Sequence, residues 1–133
     1  MILNMKRPTH KELFNKIKQA ISAIDGEGIY LVEPDAIVID AIQLGYDIET
    51  ELNSILLELL KTAEPEHYAG TSPPQRSYED EILDCELFAF KVPSNRFRCD
   101  IYVKYALKSS HFYLVSLHED RIQRSTKNDL PKR

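Results

Sequence analysis

The sequence predicts an α+β protein in which helices cover one face of an antiparallel sheet. Apolar residues recur at helical spacing in the first half of the chain, whereas the second half shows the two-residue alternation of half-buried strands. A chain of 133 residues with 43% hydrophobic and 29% charged residues is typical of a single globular domain. We therefore expect one domain over residues 1–121 and a flexible, basic C-terminal tail over residues 122–133.

Three helices are predicted in the first half of the chain, with a short strand over residues 29–32 between the first and the second. Each helix has residues that are typical of helix ends. These are Thr9 and Glu12 as a capping box, Gly26 and Gly28 as a stop, Pro34 in the first turn of a helix over about 35–44, Gly45 as its stop, and Asp47 as the third N-cap. The apolar stripe of the third helix predicts a core element.

A β-hairpin is predicted over residues 97–121, with apolar residues at odd positions from 97 to 107. Its turn can have two lengths. A two-residue turn, Ser109-Ser110, sets Leu107 opposite Phe112 and Ile101 opposite His118. A three-residue turn, Ser109 to His111, sets Leu107 opposite Tyr113 and Tyr102 opposite His118.

We favour the three-residue turn, since a one-residue slip moves every side chain to the other face of the sheet. This register buries Tyr113, Val115 and Leu117 under the helices. It leaves one basic and aromatic surface on the opposite face, which consists of Arg98, Tyr102, Lys104 and His118.

A long segment over residues 62–81 is rich in proline, glycine and serine, and it contains His67, Tyr68 and Arg76. Long loops in compact domains are often functional, although this one also has a plain interpretation as a connection. A strand over residues 82–92 and a turn at 93–95 are predicted between this segment and the hairpin.

Charge is distributed unevenly along the chain. Residues 1–85 hold seven lysines and arginines against sixteen acidic residues, whereas residues 86–133 hold ten against five. The sheet half is therefore suited to bind an anion, unless the asymmetry is only uneven surface charge. We find neither a membrane-spanning run nor a secretory signal, and we expect Cys85 and Cys99 to be reduced thiols, so the sequence predicts a cytoplasmic protein.

The histidines and cysteines lack the spacing of metal ligands, and no phosphate-binding glycine loop is present, so we expect neither a metal nor a cofactor. A basic and aromatic set remains, which suits a phosphodiester. The candidates are His118, Tyr102 and Lys104 for catalysis, and Arg96, Arg98, His67, Tyr68 and Arg76 for substrate binding. RNA supplies its own nucleophile, the 2′-hydroxyl. The alternative is that these are ordinary surface and packing residues.

Four pieces of the sequence resemble the motility quorum-sensing regulator toxins, which cleave messenger RNA and have a RelE-like fold. They are DAIQLGYDIETELNSILLELL, HYAGTS, DIYVKYAL and FYLVSLHED. The resemblance covers about residues 11–121. Its informative marks are the Leu44-Gly45 helix break and the Tyr102-x-Lys104 strand, which is followed by Val-Ser-Leu-His where the family has Val-Ser-Phe-Lys.

The functional positions of the family transfer unevenly to this chain. The strand tyrosine falls on Tyr102, and the C-terminal lysine falls on His118, which still offers a proton and a positive charge. The loop lysine falls on Ala69 and the glutamine falls near Cys85, so both of these side chains are absent. His67, Lys104 or Arg98 could replace them.

The resemblance implies a toxin of a toxin–antitoxin system, with mRNA as substrate, a cyclic phosphate product and a cognate antitoxin as partner. The alternatives are a toxin-like domain without catalysis that only binds protein or RNA, and an enzyme acting on a small phosphorylated substrate. A deep, enclosed pocket would favour the last, and an open basic groove would favour RNA.

Overall fold

A computed structural model describes residues 8–120, so the predicted tail over residues 122–133 lies outside the described residues. The elements in chain order are α1 (His10–Glu27), β1 (Ile29–Leu31), α2 (Pro34–Leu44), α3 (Ile48–Thr62), β2 (Phe88–Ser94), β3 (Cys99–Lys108) and β4 (His111–Glu119), with single 3₁₀ turns at Pro65–His67 and Asp80–Ile82. The α+β class is confirmed.

The helix ends follow from the residues that occupy them. The Glu12 N–H donates to Thr9 Oγ1 over 3.1 Å, and the Thr9 N–H donates to Glu12 Oε1 over 2.8 Å, which completes the capping box. Asp47 accepts from the Thr50 N–H over 3.0 Å and caps α3. Gly45 ends α2 in the left-handed conformation, with φ of 84°.

The sheet has the strand order β1-β4-β3-β2, and β1 runs parallel to β4 while the other pairs are antiparallel. The prediction of an antiparallel sheet was therefore wrong, since the sheet is mixed. A parallel pair requires a crossover connection, and the chain between β1 and β4 supplies one. A three-residue strand carries no pattern from which its direction could be predicted.

The helices cover one face of the sheet and form the main core with it. Leu13 of α1, Ile37 of α2 and Leu56 of α3 are fully buried against strand residues such as Val103 and Tyr105. The Tyr105 hydroxyl donates to the Lys16 carbonyl oxygen over 3.0 Å, so α1 is also tied to the centre of β3.

The segment before β2 does not form the strand that was predicted to begin at residue 82. Residues 80–82 form a 3₁₀ turn, and β2 begins only at residue 88. Ile82 and Leu87 instead pack with Ala106 in a second, smaller core, which Tyr113 and Val115 adjoin. These residues lie on the face of the sheet that the helices leave uncovered, so this segment shields the part of that face nearest the hairpin turn.

The hairpin turn between β3 and β4 has two residues. Ser109 and Ser110 both have positive φ, 53° and 66°, as a two-residue hairpin turn of type I′ requires. Lys108 pairs with His111 and Leu107 with Phe112, so the three-residue turn was wrong.

A β-bulge then shifts the register between Lys104 and Tyr105. Tyr105 pairs with Leu114, whereas Lys104 pairs with Ser116, so β4 holds one extra residue, Val115. Beyond the bulge Tyr102 lies opposite His118, which is the pairing that the other turn had predicted.

Candidate functional site

One row of side chains crosses the sheet on the face opposite the helices. Lys91 of β2 pairs with Tyr102 of β3, and Tyr102 pairs with His118 of β4. Lys104 and Ser116 form the next pair along the strands. We call these five half-buried residues, Lys91, Tyr102, Lys104, Ser116 and His118, the open face.

The bulge determines which side chains of β4 reach the open face. Phe112 and Leu114 are buried in the main core before the bulge, and Leu117 is buried there after it. Tyr113 and Val115 are only half-buried and adjoin the smaller core, so the prediction that they lie under the helices was wrong. Without the extra residue, the two-residue turn would place His118 opposite Ile101, in the main core.

The rings of Tyr102 and His118 stack, with centroids 5.2 Å apart and planes 20° from parallel. His118 Nδ1 lies 2.8 Å from the carbonyl oxygen of Glu119. A carbonyl oxygen can only accept, so this bond assigns the proton to Nδ1 and leaves Nε2 of the neutral ring as a proton acceptor. The stacking and the backbone contact together fix the orientation of the imidazole.

Burial raises the pKa of the Tyr102 phenol above its ordinary value of 10.0. The hydroxyl therefore stays protonated at neutral pH, where it can donate a hydrogen bond but cannot act as a base. Of the stacked pair, His118 is thus the residue suited to take a proton.

The two lysines of the open face differ in their surroundings. Lys91 Nζ lies 3.6 Å from Oδ2 of Asp120, whose side chain is buried. Lys104 has no ion-pair partner within 4.0 Å in the described part of the chain. Within the described residues, Lys104 is therefore the lysine of this face whose charge is not balanced by an ion pair, and it can contact an anion.

A groove of about 440 Å³ lies between the open face and α2, which contacts the sheet along β4 and so reaches the edge of this face. Lys104, Ser116 and His118 line it from the sheet. The wall formed by α2 and the residue before it supplies Glu33, Ala36, Ile39 and Asp40. The groove therefore has a cationic wall and an acidic wall, and its volume is within the range of small-ligand sites.

The two arginines predicted near this surface lie elsewhere. Arg96 is on the helix side, where Nη2 lies 3.2 Å from Oε2 of Glu51 on α3 and the guanidinium stacks over Phe97. Arg98 is not a strand residue, because it has φ of 58° and closes the turn between β2 and β3. Its N–H donates to the Ser94 carbonyl oxygen over 2.9 Å.

The three candidates from the long segment are also absent from the open face. Tyr68 is buried in the main core, where its ring meets Phe90 edge-on at 5.8 Å. His67 Nδ1 accepts from the Glu64 N–H over 2.9 Å, which ties it to its own 3₁₀ turn. Arg76 donates to the Asp84 carbonyl oxygen over 2.9 Å and closes a bridge with Glu86.

Four residues of the site were missed by the sequence analysis: Lys91, Asp120, Glu33 and Asp40. The alternation of Phe88, Phe90 and Val92 would have placed Lys91 on the uncovered face. An acidic residue such as Asp40 within an otherwise apolar helix face also stands out. Nothing in the sequence indicates that Asp120 forms an ion pair with Lys91.

No helix within residues 8–120 is long and apolar enough to cross a membrane. In the same range, the histidines, cysteines and acidic residues form no group of three or more that could hold a metal ion. Comparison of the chain with protein-family models, with curated proteins and with solved structures returns no match. A functional assignment must therefore rest on the open face and on the resemblance in the sequence.

Proposed function

We propose that this chain is a metal-independent endoribonuclease that cleaves single-stranded RNA at the open face. The observation that carries the proposal is the stacked Tyr102–His118 pair at the edge of a groove that Lys104 also lines, with no ion-pair partner for Lys104 among residues 8–120. This set offers a proton acceptor, a cation for a phosphate and an aromatic surface for a base.

In this proposal, His118 Nε2 takes the proton from a ribose 2′-hydroxyl. The oxygen then attacks the adjacent phosphorus, and the bond from phosphorus to the 5′ oxygen breaks. Lys104 stabilises the added negative charge on the phosphoryl oxygens and supplies the proton that the leaving oxygen takes. Tyr102 holds the imidazole by stacking and donates a hydrogen bond to the phosphate. The products are a 2′,3′-cyclic phosphate and a free 5′-hydroxyl.

The resemblance in the sequence extends this proposal to a biological role. It supports a toxin of a toxin–antitoxin system with a RelE-like architecture, which acts on mRNA in the cytoplasm and is held inactive by a cognate antitoxin.

The test is incubation of the purified protein with a labelled synthetic RNA in the presence of a chelator. We expect cleavage that leaves a cyclic phosphate, and none in a matched RNA whose 2′-hydroxyls are replaced by hydrogen, because that oligonucleotide lacks the nucleophile. Intact RNA at high concentrations of folded protein would contradict the proposal, as would cleavage of the deoxy substrate.

A second candidate is a domain that binds RNA without cleaving it. Its support is the acidic residues near both lysines. Asp120 neutralises the charge of Lys91, and Glu33 and Asp40 line the groove together with Lys104. These carboxylates weaken the electrostatic stabilisation of the negative charge that develops on the phosphate in the transition state. Fluorescence anisotropy with the deoxy oligonucleotide separates the two candidates, since binding without cleavage of the ribose form supports the second.

In either case, Lys104→Ala is expected to reduce the slope of log binding constant against log salt concentration by about one, because one phosphate contact is lost. Arg96→Ala is expected to leave this slope unchanged.

A further inference from the structure

Helix α2 is apolar on more than the face that it buries. Ile37 and Ala41 face the main core, yet Val38, Ile39 and Ile42 on the other side are 43%, 56% and 74% exposed. With Asp35 these three exposed residues follow the spacing i, i+3, i+4, i+7, which is one continuous face of a helix. We call these three apolar residues the α2 stripe. A helix that is apolar all round is normally covered on every side.

The α2 stripe is continuous with the groove beside the open face. Ile39 belongs to both, because it is exposed on α2 and also lines the groove together with Asp40, Val115 and His118. The exposed apolar surface therefore continues from the outer side of α2 into the groove.

We propose that the α2 stripe and the adjoining groove bind an amphipathic helix of a partner protein, with its apolar residues on α2 and its lysines or arginines toward Glu33 and Asp35. This docking surface does not depend on the proposed RNA cleavage. Ile39 and His118 line the same groove, so a helix seated on Ile39 narrows the access to His118.

The spacing of the stripe indicates a helical partner. A helix that lies in a groove is held by residues at i, i+3, i+4 and i+7, and a stripe with the same spacing on α2 lets the two sets of side chains interdigitate. An extended peptide would instead need unpaired backbone groups on a strand edge, and a helix offers none in its interior.

The charges beside the stripe indicate a basic partner. Helix α2 contains Asp35 and Asp40 and no lysine, arginine or histidine, and Glu33 precedes it. Glu33 also interacts with Glu79, since a hydrogen bond between the two side chains is the main cause that raises the pKa of Glu79. Lysines or arginines along one edge of the partner helix would relieve this crowding of carboxylates.

A second copy of the chain fits the surface less well. Two stripes would bring the same acidic α2 edges together without any compensating base on either helix. Three partly exposed side chains offer much less area than the ~800 Å² that a stable interface buries on each partner. The partner must therefore reach beyond the stripe, and the groove provides the additional surface.

The probe for this proposal is a synthetic amphipathic peptide of about 18 residues, which has leucines at the stripe spacing and lysines along one edge. A matched peptide carries glutamates in place of the lysines. In fluorescence anisotropy at low salt we expect the lysine peptide to bind at least about tenfold more tightly than the glutamate peptide. Ile42→Ser should weaken its binding by about tenfold or more, because burial of an isoleucine is lost. Phe14→Ser, which changes an exposed apolar residue on α1, should leave the affinity unchanged.

A second pair of variants tests whether the acidic residues beside the stripe attract the lysines of the peptide. Asp35→Asn should weaken binding of the lysine peptide, and Asp25→Asn on α1 should not. Equal affinity for the two peptides, no binding of either, or insensitivity to Ile42→Ser would overturn the proposal. Sedimentation of the free protein is measured in parallel, and a dimer that dissociates in Ile42→Ser would assign the surface to a second copy of the chain instead.

Discussion

His118→Ala is expected to slow RNA cleavage by roughly 10²–10⁴-fold, the range for removal of a general acid or base. His118 is the residue of the open face whose tautomer is fixed by the structure, since Nδ1 contacts the Glu119 carbonyl oxygen at 2.8 Å and Nε2 remains as the acceptor. Tyr102 cannot replace it, because burial raises the pKa of the phenol and keeps it protonated. The measurement is the single-turnover cleavage rate of a labelled RNA with wild-type and variant protein.

His10→Ala is the matched control, because His10 is an exposed histidine at the start of α1, a helix that packs on the other face of the sheet. We expect its cleavage rate to equal that of the wild type. Urea unfolding of both variants separates a catalytic effect from loss of structure. Because His118 is only half-buried, His118→Ala should lower the free energy of unfolding little. A His118→Ala rate within about threefold of the wild type would remove this residue from the mechanism.

In β4, alanine substitutions of the core leucines on either side of the bulge are expected to destabilise the fold strongly, and substitution of the bulge residue only weakly. Leu114→Ala and Leu117→Ala should each lower the free energy of unfolding by about 2–5 kcal/mol, because both side chains are fully buried in the main core. Val115→Ala should cost less than about 1.5 kcal/mol, since Val115 is the half-buried extra residue of the bulge. The free energies are measured by urea unfolding.

This pattern distinguishes the bulge from both regular strands. A regular strand after a three-residue turn would bury Val115 with Leu117 and make Leu114→Ala mild. A regular strand after a two-residue turn would bury Leu114 with His118 and make Leu117→Ala mild. Only the bulge makes both leucine substitutions severe and the valine substitution mild, so any other order would show that the register in the structure is wrong.

The helices were predicted correctly because their signals are local. The capping box at Thr9, the stop at Gly45 and the N-cap at Asp47 each act within one turn of the chain, and the structure has all three. The parallel direction of β1 and the packing of residues 82–87 over the sheet depend on contacts between distant parts of the chain, which no local pattern encodes.

The hairpin shows how a correct pairing can follow from an incorrect turn. The apolar positions of the return strand change from even, at Phe112 and Leu114, to odd at Leu117, and such a change of parity indicates a bulge. Treating the strand as regular forced the choice of a three-residue turn. The bulge instead reconciles a two-residue turn with the pairing of Tyr102 and His118.

The sequence correctly grouped Tyr102, Lys104 and His118 because strand alternation determines which side chains share a face. The prediction failed for Arg96, because its position before β3 gave no indication of its ion pair with Glu51. It also failed for Tyr68, which is buried in the main core with its ring against Phe90. A tyrosine in a polar segment has no local feature that distinguishes burial from exposure.

The most direct test of the central claim, that RNA binds at the open face, is an NMR titration with an uncleavable oligonucleotide. The signals to follow are the ring protons of Tyr102 and His118, with those of His10 and His67 as internal references, while a single-stranded oligonucleotide lacking 2′-hydroxyls is added. We predict that the Tyr102 and His118 signals shift in proportion to binding and that the reference signals do not. Shifts confined to the helix side of the molecule, or no shift of the Tyr102 and His118 rings at saturation, would contradict it.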